Sequence, residues 1–137
     1  MIFCVSMKLV KKLDVIFSRY IRLRDAFSNG KFICISCGRV KDISQADCGH
    51  FISRKNMATR FDERNCNAEC RECNRFDNEH LVGYQQRLMR KIGESEFYNL
   101  LFLSHTIKKW DADELNYLIK LYSAKAAKEE REKGIKL

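Results

Sequence analysis

Proline is absent from all 137 residues. Also missing are any internal repeat, any flexible linker and any apolar run near the ~20 residues of a membrane span. Met1 to Val5 is apolar but too short for the core of an export signal. These absences exclude a membrane-spanning helix and point to a single domain over residues 1–137, located in the cytoplasm. Met7, followed by Lys8 and Leu9, is an alternative start. The lack of proline and of any His-x-Glu also excludes the zinc nucleobase deaminases, whose sites need both that motif and a Pro-Cys pair.

Cysteine and positive charge are plentiful. Seven cysteines are an odd number at uneven spacing. Without an export signal they read as thiols or metal ligands, not as a disulfide framework. The chain carries 26 Lys+Arg against 18 Asp+Glu, a formal charge of +8, which suits a polyanionic partner such as nucleic acid. A domain of this size often needs a staple, and a structural metal is one kind.

Along the chain, Leu13, Ile16, Phe17, Tyr20 and Phe27 fall at helical spacing, predicting a helix over 8–28. Lys11, Lys12, Arg19, Arg22 and Arg24 form its solvated face, and Asn29-Gly30 ends it. Lys31–Ile35 reads as a short strand delivering a turn at Cys37-Gly38, and Val40–Ala46 as a loop. Cys48–Ile52 reads as the first arm of a hairpin, with Arg54–Arg64 its connection and return. A helix follows from Arg71 to Ile92, stopped by Gly93, with Leu81, Tyr84, Leu88 and Ile92 on one side. C-terminal helices occupy 94–134, the second opened by Asp111 and Glu114 as a capping box.

Two cysteine pairs organise the middle of the chain: Cys34-Ile35-Ser36-Cys37 and Cys70-Arg71-Glu72-Cys73. A two-residue gap lets both sulfurs of a turn face one ion, and two such pairs supply a tetrahedral zinc site. Cys4, Cys48 and Cys66 read as free thiols, with Cys48 the competitor for a ligand position. Between the pairs lie Asp47, His50 and Asn65, and Asn74 directly follows the last cysteine. Hydrolysis of a phosphodiester by one metal needs a base, a cation and a scaffold. His50 has the right chemistry for the base. Asn74 and Asp47 offer oxygens to a hard cation, Mg2+ or Mn2+, and the amide of Asn65 can tie the hairpin loop together. His80 and His105 lack supporting neighbours and read as ordinary surface or helix residues.

The order of histidine, asparagine and a metal-ligating Asn at a helix start resembles the HNH nuclease motif, whose fold is a two-stranded hairpin and helix around a metal. The two Cys-x-x-Cys pairs with Asn74 after the last are similar to the phage recombination endonuclease VII. The stretches Tyr20-Ile21-Arg22-Leu23-Arg24-Asp25, Gly49-His50-Phe51-Ile52-Ser53-Arg54, Ala58-Thr59-Arg60-Phe61-Asp62 and Cys70-Arg71-Glu72-Cys73-Asn74-Arg75-Phe76 resemble the phage NinG (Rap) family over roughly residues 9–125.

The resemblance implies an α+β fold. Its zinc-stapled ββα-metal (HNH-like) core would span 31–92, with helices flanking it on both sides. It implies a structure-selective endonuclease acting on Holliday junctions or other branched DNA in phage recombination, in a bacterial host. His50 would be the base and Asn65 the middle asparagine. Asn74 would hold the catalytic ion, while Cys34, Cys37, Cys70 and Cys73 hold zinc. Typical members of the motif place a metal-ligating Asp or His just before the base, where this chain has Gly49. Either Asp47 reaches in through a bulge or His50 is itself a ligand. Residues 47 and 50 of a regular strand point to opposite faces.

Arg54, Lys55, Arg60, Arg64, Arg71 and Arg75 cluster around this site as phosphate clamps. The competing use of these cations is pairing with Asp62, Glu63, Glu69 and Glu72, which claims about half of them. A zinc-stabilised DNA-binding recombination accessory module without catalysis is the alternative function. A homodimer would suit symmetric cutting of a junction.

Overall fold

A computed structural model describes the backbone of residues 2–137 and the side chains from residue 7 onward. Met1 and the side chain of Cys4 therefore lie outside the described residues, whereas Met7, the alternative start, is an exposed residue of the first helix. Helix α1 spans Ile2–Asp25, starting earlier and ending sooner than the 8–28 expected. Leu13, Phe17 and Tyr20 are buried as the spacing requires, but Phe27 lies past the helix end and is exposed. At the helix end the Asp25 carboxylate accepts from Ala68 N–H at 2.8 Å, tying α1 to the middle of the chain. Gly30, at φ 79°, then completes the reversal into β1 (Lys31–Ile33).

The segment read as a loop after Gly38 contains a strand, β2 (Val40–Asp42), antiparallel to β1. Asp42 then caps a single 3-10 turn by accepting from Ser44 N–H at 3.0 Å. A second hairpin follows, β3 (Ala46–His50) with β4 (Cys66–Cys70), pairing Ala46 with Cys70 and His50 with Cys66. The return strand thus lies beyond Arg64, later than expected. Residues 51–65 are instead an irregular connection. Buried Asn65 staples its walls: Oδ1 accepts from Ile52 N–H at 2.7 Å, and Nδ2 donates to Ile52 O at 3.0 Å and Thr59 O at 3.1 Å.

All five residues of β4 are buried, Asn67 and Glu69 among them. The Asn67 amide is satisfied from neighbouring elements, the usual condition for burying a polar group. Asn67 Oδ1 accepts from Arg24 at 3.1 Å and Lys91 at 2.6 Å, and its Nδ2 donates to Tyr84 at 3.2 Å. Arg24, expected on a solvated face, also forks onto Asp25 and donates to the Cys66 carbonyl at 2.8 Å.

The helix expected from Arg71 is broken in two. A π-helical turn covers Glu72–Phe76, and α2 (His80–Ile92) starts afresh after an Asx turn at Asp77. Helix α3 (Glu94–Leu103) follows Gly93 directly. Helix α4 (Ala112–Lys133) opens on the reciprocal Asp111–Glu114 capping box. It returns along α1, where Leu115, Ile119, Tyr122 and Ala126 close the main core around Leu13, Phe17 and Ile21. Phe17 meets Tyr122 edge-on, 4.7 Å between centroids, a favoured aromatic geometry. The fold is α+β, helices around two small antiparallel sheets. No helix among the described residues is long and apolar enough to cross a membrane.

Candidate functional site

The β1–β2 turn and the end of β4 bring both cysteine pairs together. One sulfur from each of Cys34, Cys37, Cys70 and Cys73 lies within 4.8 Å of all the others. Cys37 and Cys70 sulfurs are 4.0 Å apart, close to the roughly 3.8 Å of thiolates sharing a tetrahedral zinc. The N–H groups of Cys37 (3.5 Å) and Cys70 (3.3 Å) point at the Cys34 sulfur, which favours negative charge there. Burial, with the neighbouring cysteines adding to it, pushes the Cys34 thiol up to about 11 and the Cys73 thiol higher still. Four crowded sulfurs in a dry setting fit a divalent, thiophilic ion, and this cluster can hold a structural zinc.

Beside the cluster is a polar cleft of about 490 Å³ lined by Asp47, Cys48, His50, Arg54, Asn74, Arg75 and His80. The π-helical turn carries Asn74 over β3, where its Nδ2 donates to Asp47 Oδ2 at 3.0 Å. Arg75 forks onto the same carboxylate at 2.8 and 2.9 Å. Asp47, Asn74 and His50 therefore share one cavity even though residues 47 and 50 stand on opposite sides of the pleat.

His50 Nε2 lies 3.1 Å from the Arg60 carbonyl, which can only accept. The ring proton therefore sits on Nε2, and Nδ1 keeps its lone pair. Burial lowers the His50 pKa, and the nearby Arg54 and Arg60 cations add to that.

Two functional residues carry no signal of their own in the sequence: His80, which lines the cleft, and Glu69, buried beneath it. Glu69 is fully buried beneath Gly49, and a Cβ at position 49 would collide with its Oε1. Its Oε2 accepts from the Ser36 hydroxyl and lies 2.5 Å from His80 Nδ1. Glu69 Oε1 is a buried oxygen with no hydrogen-bond partner among the described residues. His80 is thus held by a buried carboxylate at Nδ1 while its ring faces the cleft, the way proteins orient a metal-ligating histidine. The absent side chain at Gly49 was the legible signal, since that slot admits a carboxylate from the partner strand.

The expected phosphate clamps divide. Arg60 forks onto Asp14 at 3.0 and 2.5 Å, and Arg64 forks onto Asp62 while reaching Glu96 at 2.8 Å. Both are committed internally, and Arg75 is engaged by Asp47. Arg71 stands 3.8 Å from Asp47. Arg54 and Lys55 are exposed and carry no ion pair among the described residues, but Lys55 faces a different groove, with His105. Of the four acids expected to pair with this cluster, only Asp62 does so closely. Glu63 instead takes Tyr20, Tyr122 and Lys125, and Glu72 lies 3.8 Å from Lys41.

A cysteine-clamped α+β protein with an acid, an amide and two histidines around one basic cleft is the class defined by this geometry. The chain belongs to the NinG family: the family described as Bacteriophage Lambda NinG protein matches residues 5–132. It is 31% identical to Protein ninG of Escherichia phage 933W over 117 residues, 85% of this chain and 55% of that protein. It is 30% identical to Protein ninG of Escherichia phage lambda and of Salmonella phage P22, again over 85% of this chain. The chain spans about half the length of these curated relatives. No solved structure matches it.

Proposed function

We propose that this chain is a metal-dependent DNA endonuclease with a ββα-metal, HNH-like core, acting on Holliday junctions or other branched DNA in phage recombination. The convergence of Asp47, Asn74, His50 and His80 on one cleft carries this reading. His50 presents an unprotonated Nδ1, and its lowered pKa keeps the ring neutral at pH 7, the form that takes a proton from water. Asn65 fixes the loop that supplies the Arg60 carbonyl, and so acts through the orientation of His50.

Asp47 and Asn74, with His80 as a further donor, would hold Mg2+ or Mn2+. The donor set fits: oxygens suit hard ions, imidazole is tolerated by Mn2+, and the partnerless Glu69 oxygen adds negative charge beneath the site. When bound, the ion supplies Lewis-acid stabilisation of the charge building on the scissile phosphate and the leaving oxygen. Arg54, free of carboxylates at the cleft wall, and Arg75, once exchanged from Asp47, bind backbone phosphates. Binding is then steeply salt-dependent and blind to base sequence. A homodimer would place such clefts on symmetric strands of a junction.

One observation favours the non-catalytic accessory module. Asp47 is already saturated by Asn74 and Arg75 without any cation. Incubation of a four-way junction and a linear duplex with the protein, with and without Mg2+ or Mn2+, separates the two. Ion-dependent cleavage of the junction, reduced about 10²–10⁴-fold by His50→Ala, supports the nuclease. Tight junction binding with no cleavage in either ion establishes the module instead.

A further inference from the structure

A second constellation of soft donors lies farther along the same hairpin, at the His50–Cys66 end. Cys48, His50 and Cys66 each offer an atom within 4.8 Å of the other two. The strand register makes this so: Cys48 and His50 are two apart on β3, and Cys66 pairs directly with His50 across the ladder. The convergence therefore rests on backbone geometry and not on flexible surface side chains. Both cysteines are free, and neither belongs to the four-cysteine cluster. Cys66 is fully buried, whereas Cys48 and His50 are half-buried and line the cleft.

We propose that Cys48, His50 and Cys66 form a second metal site, selective for tetrahedral thiophilic ions of the Zn2+ class, whose occupation withdraws His50 from catalysis. The inhibitory half of this statement rests on the nuclease reading, and the binding half does not. Zinc holds thiolates at about 2.3 Å and imidazole at about 2.0–2.1 Å, so its donors stand roughly 3.5–3.8 Å apart. Only a small contraction of the triad reaches that spacing.

With three protein donors and an open cleft, the fourth position falls to water, the open pattern of zinc sites that remain exchangeable. Mg2+ selects oxygen donors and does not compete here. One cleft thus sorts two kinds of ion by ligand softness: a hard one at Asp47 and Asn74, a soft one at the triad. Burial pushes the Cys66 thiol well above its ordinary value, and Arg24, donating to the Cys66 carbonyl at 2.8 Å, offsets only part of that, so a bound cation is what would make the thiolate.

Titration of the reduced, zinc-loaded full chain with Co2+ tests the site, read by the thiolate-to-cobalt charge-transfer band. A further equivalent with that band is expected in the wild type. Cys48→Ser should weaken it by more than the ~10–100-fold cost of outer-shell changes and leave the clamp zinc in place by elemental analysis. Cys66→Ala should do the same; being buried, it is judged only if its circular dichroism matches wild type, and the half-exposed Cys48→Ser suffices otherwise. No band beyond the clamp, or an undiminished band in Cys48→Ser, overturns the proposal. In parallel, micromolar Zn2+ should inhibit Mg2+-dependent junction cleavage, and Cys48→Ser should raise the inhibitory concentration by the same factor. Zinc inhibition equal in both proteins refutes the inhibitory role. A wild type that never cleaves but binds cobalt at the triad sinks the nuclease reading and leaves the site standing.

Discussion

Gly49→Ala is the most exposing perturbation of this structure, because the methyl group it adds has nowhere to go. The new Cβ would overlap Glu69 Oε1 and lie 2.8 Å from Glu69 Cβ and 3.0 Å from Cδ. The Cβ contact is close to the backbone, so rotating the end of the Glu69 side chain does not relieve it. Either the β3–β4 ladder spreads or Glu69 abandons Ser36 and His80. Overpacking of this kind costs about 1–3 kcal/mol, and each charge-assisted hydrogen bond lost adds about 1.5–3 kcal/mol.

A loss of roughly 3–5 kcal/mol is expected, which is a large part of the ~5–15 kcal/mol that holds such a domain together. Urea unfolding of the zinc-loaded protein measures it, and the Gly49→Ala/Glu69→Ala double variant supplies the control. Removing the carboxylate makes room for the methyl, so the double variant should be at least ~1 kcal/mol more stable than the two single changes predict by addition. A Gly49→Ala protein within ~0.5 kcal/mol of wild type, or strict additivity in the cycle, would refute the packing argument.

Other expectations concern metal, pH and the cleft. Chelation of zinc, or Cys70→Ser, should unfold the 31–74 region and with it the protein, seen as loss of cooperative melting together with loss of zinc by elemental analysis. Asp25 is pushed up by burial, but the Arg24 fork, Lys91 and Ala68 N–H outweigh that and hold its pKa below the ordinary carboxylate value. Its stabilising contribution is therefore complete above roughly pH 4 and lost as pH falls through the lower folded value. Asp25→Asn should flatten the acid limb of stability against pH, and an unchanged limb would exclude Asp25 as its source. The lowered His50 pKa places the acid limb of any cleavage pH profile below the ordinary histidine value of about 6.5; a midpoint above that value argues for another base. His80→Ala should weaken Mn2+ binding by about 10–100-fold, measured by electron paramagnetic resonance, while His105→Ala leaves it unchanged.

The parts legible in the sequence are those whose signal is local. Two matched cysteine pairs announce a cluster whatever lies between them, because the turn that aligns each pair is contained in four residues. The Asp111–Glu114 box, the stop at Gly93 and the buried stripe of α1 are likewise contained in one or two helical turns. The return strand was misplaced because Asn67 and Glu69 point inward on both-sides-buried β4. Burial without apolar alternation gives no strand signal. The helix after Arg71 was read as continuous because a π-helical turn has no distinctive composition. Arg24 looked solvated for want of its partners, Asp25 apart, which lie some forty residues away.

By itself, then, the sequence determined an α+β chain of the NinG family, its sulfur clamp, and the candidate acid, base and amide of a cleft. Tertiary structure decided which charges remain available: Arg60 is neutralised by Asp14 of a distant helix, Arg64 gains Glu96 beside its local partner Asp62, and Glu69 emerges beneath Gly49 to hold His80. The reason is that a dry carboxylate or a satisfied guanidinium is made by what packs against it, and packing partners are set by the fold and not by neighbours in the chain.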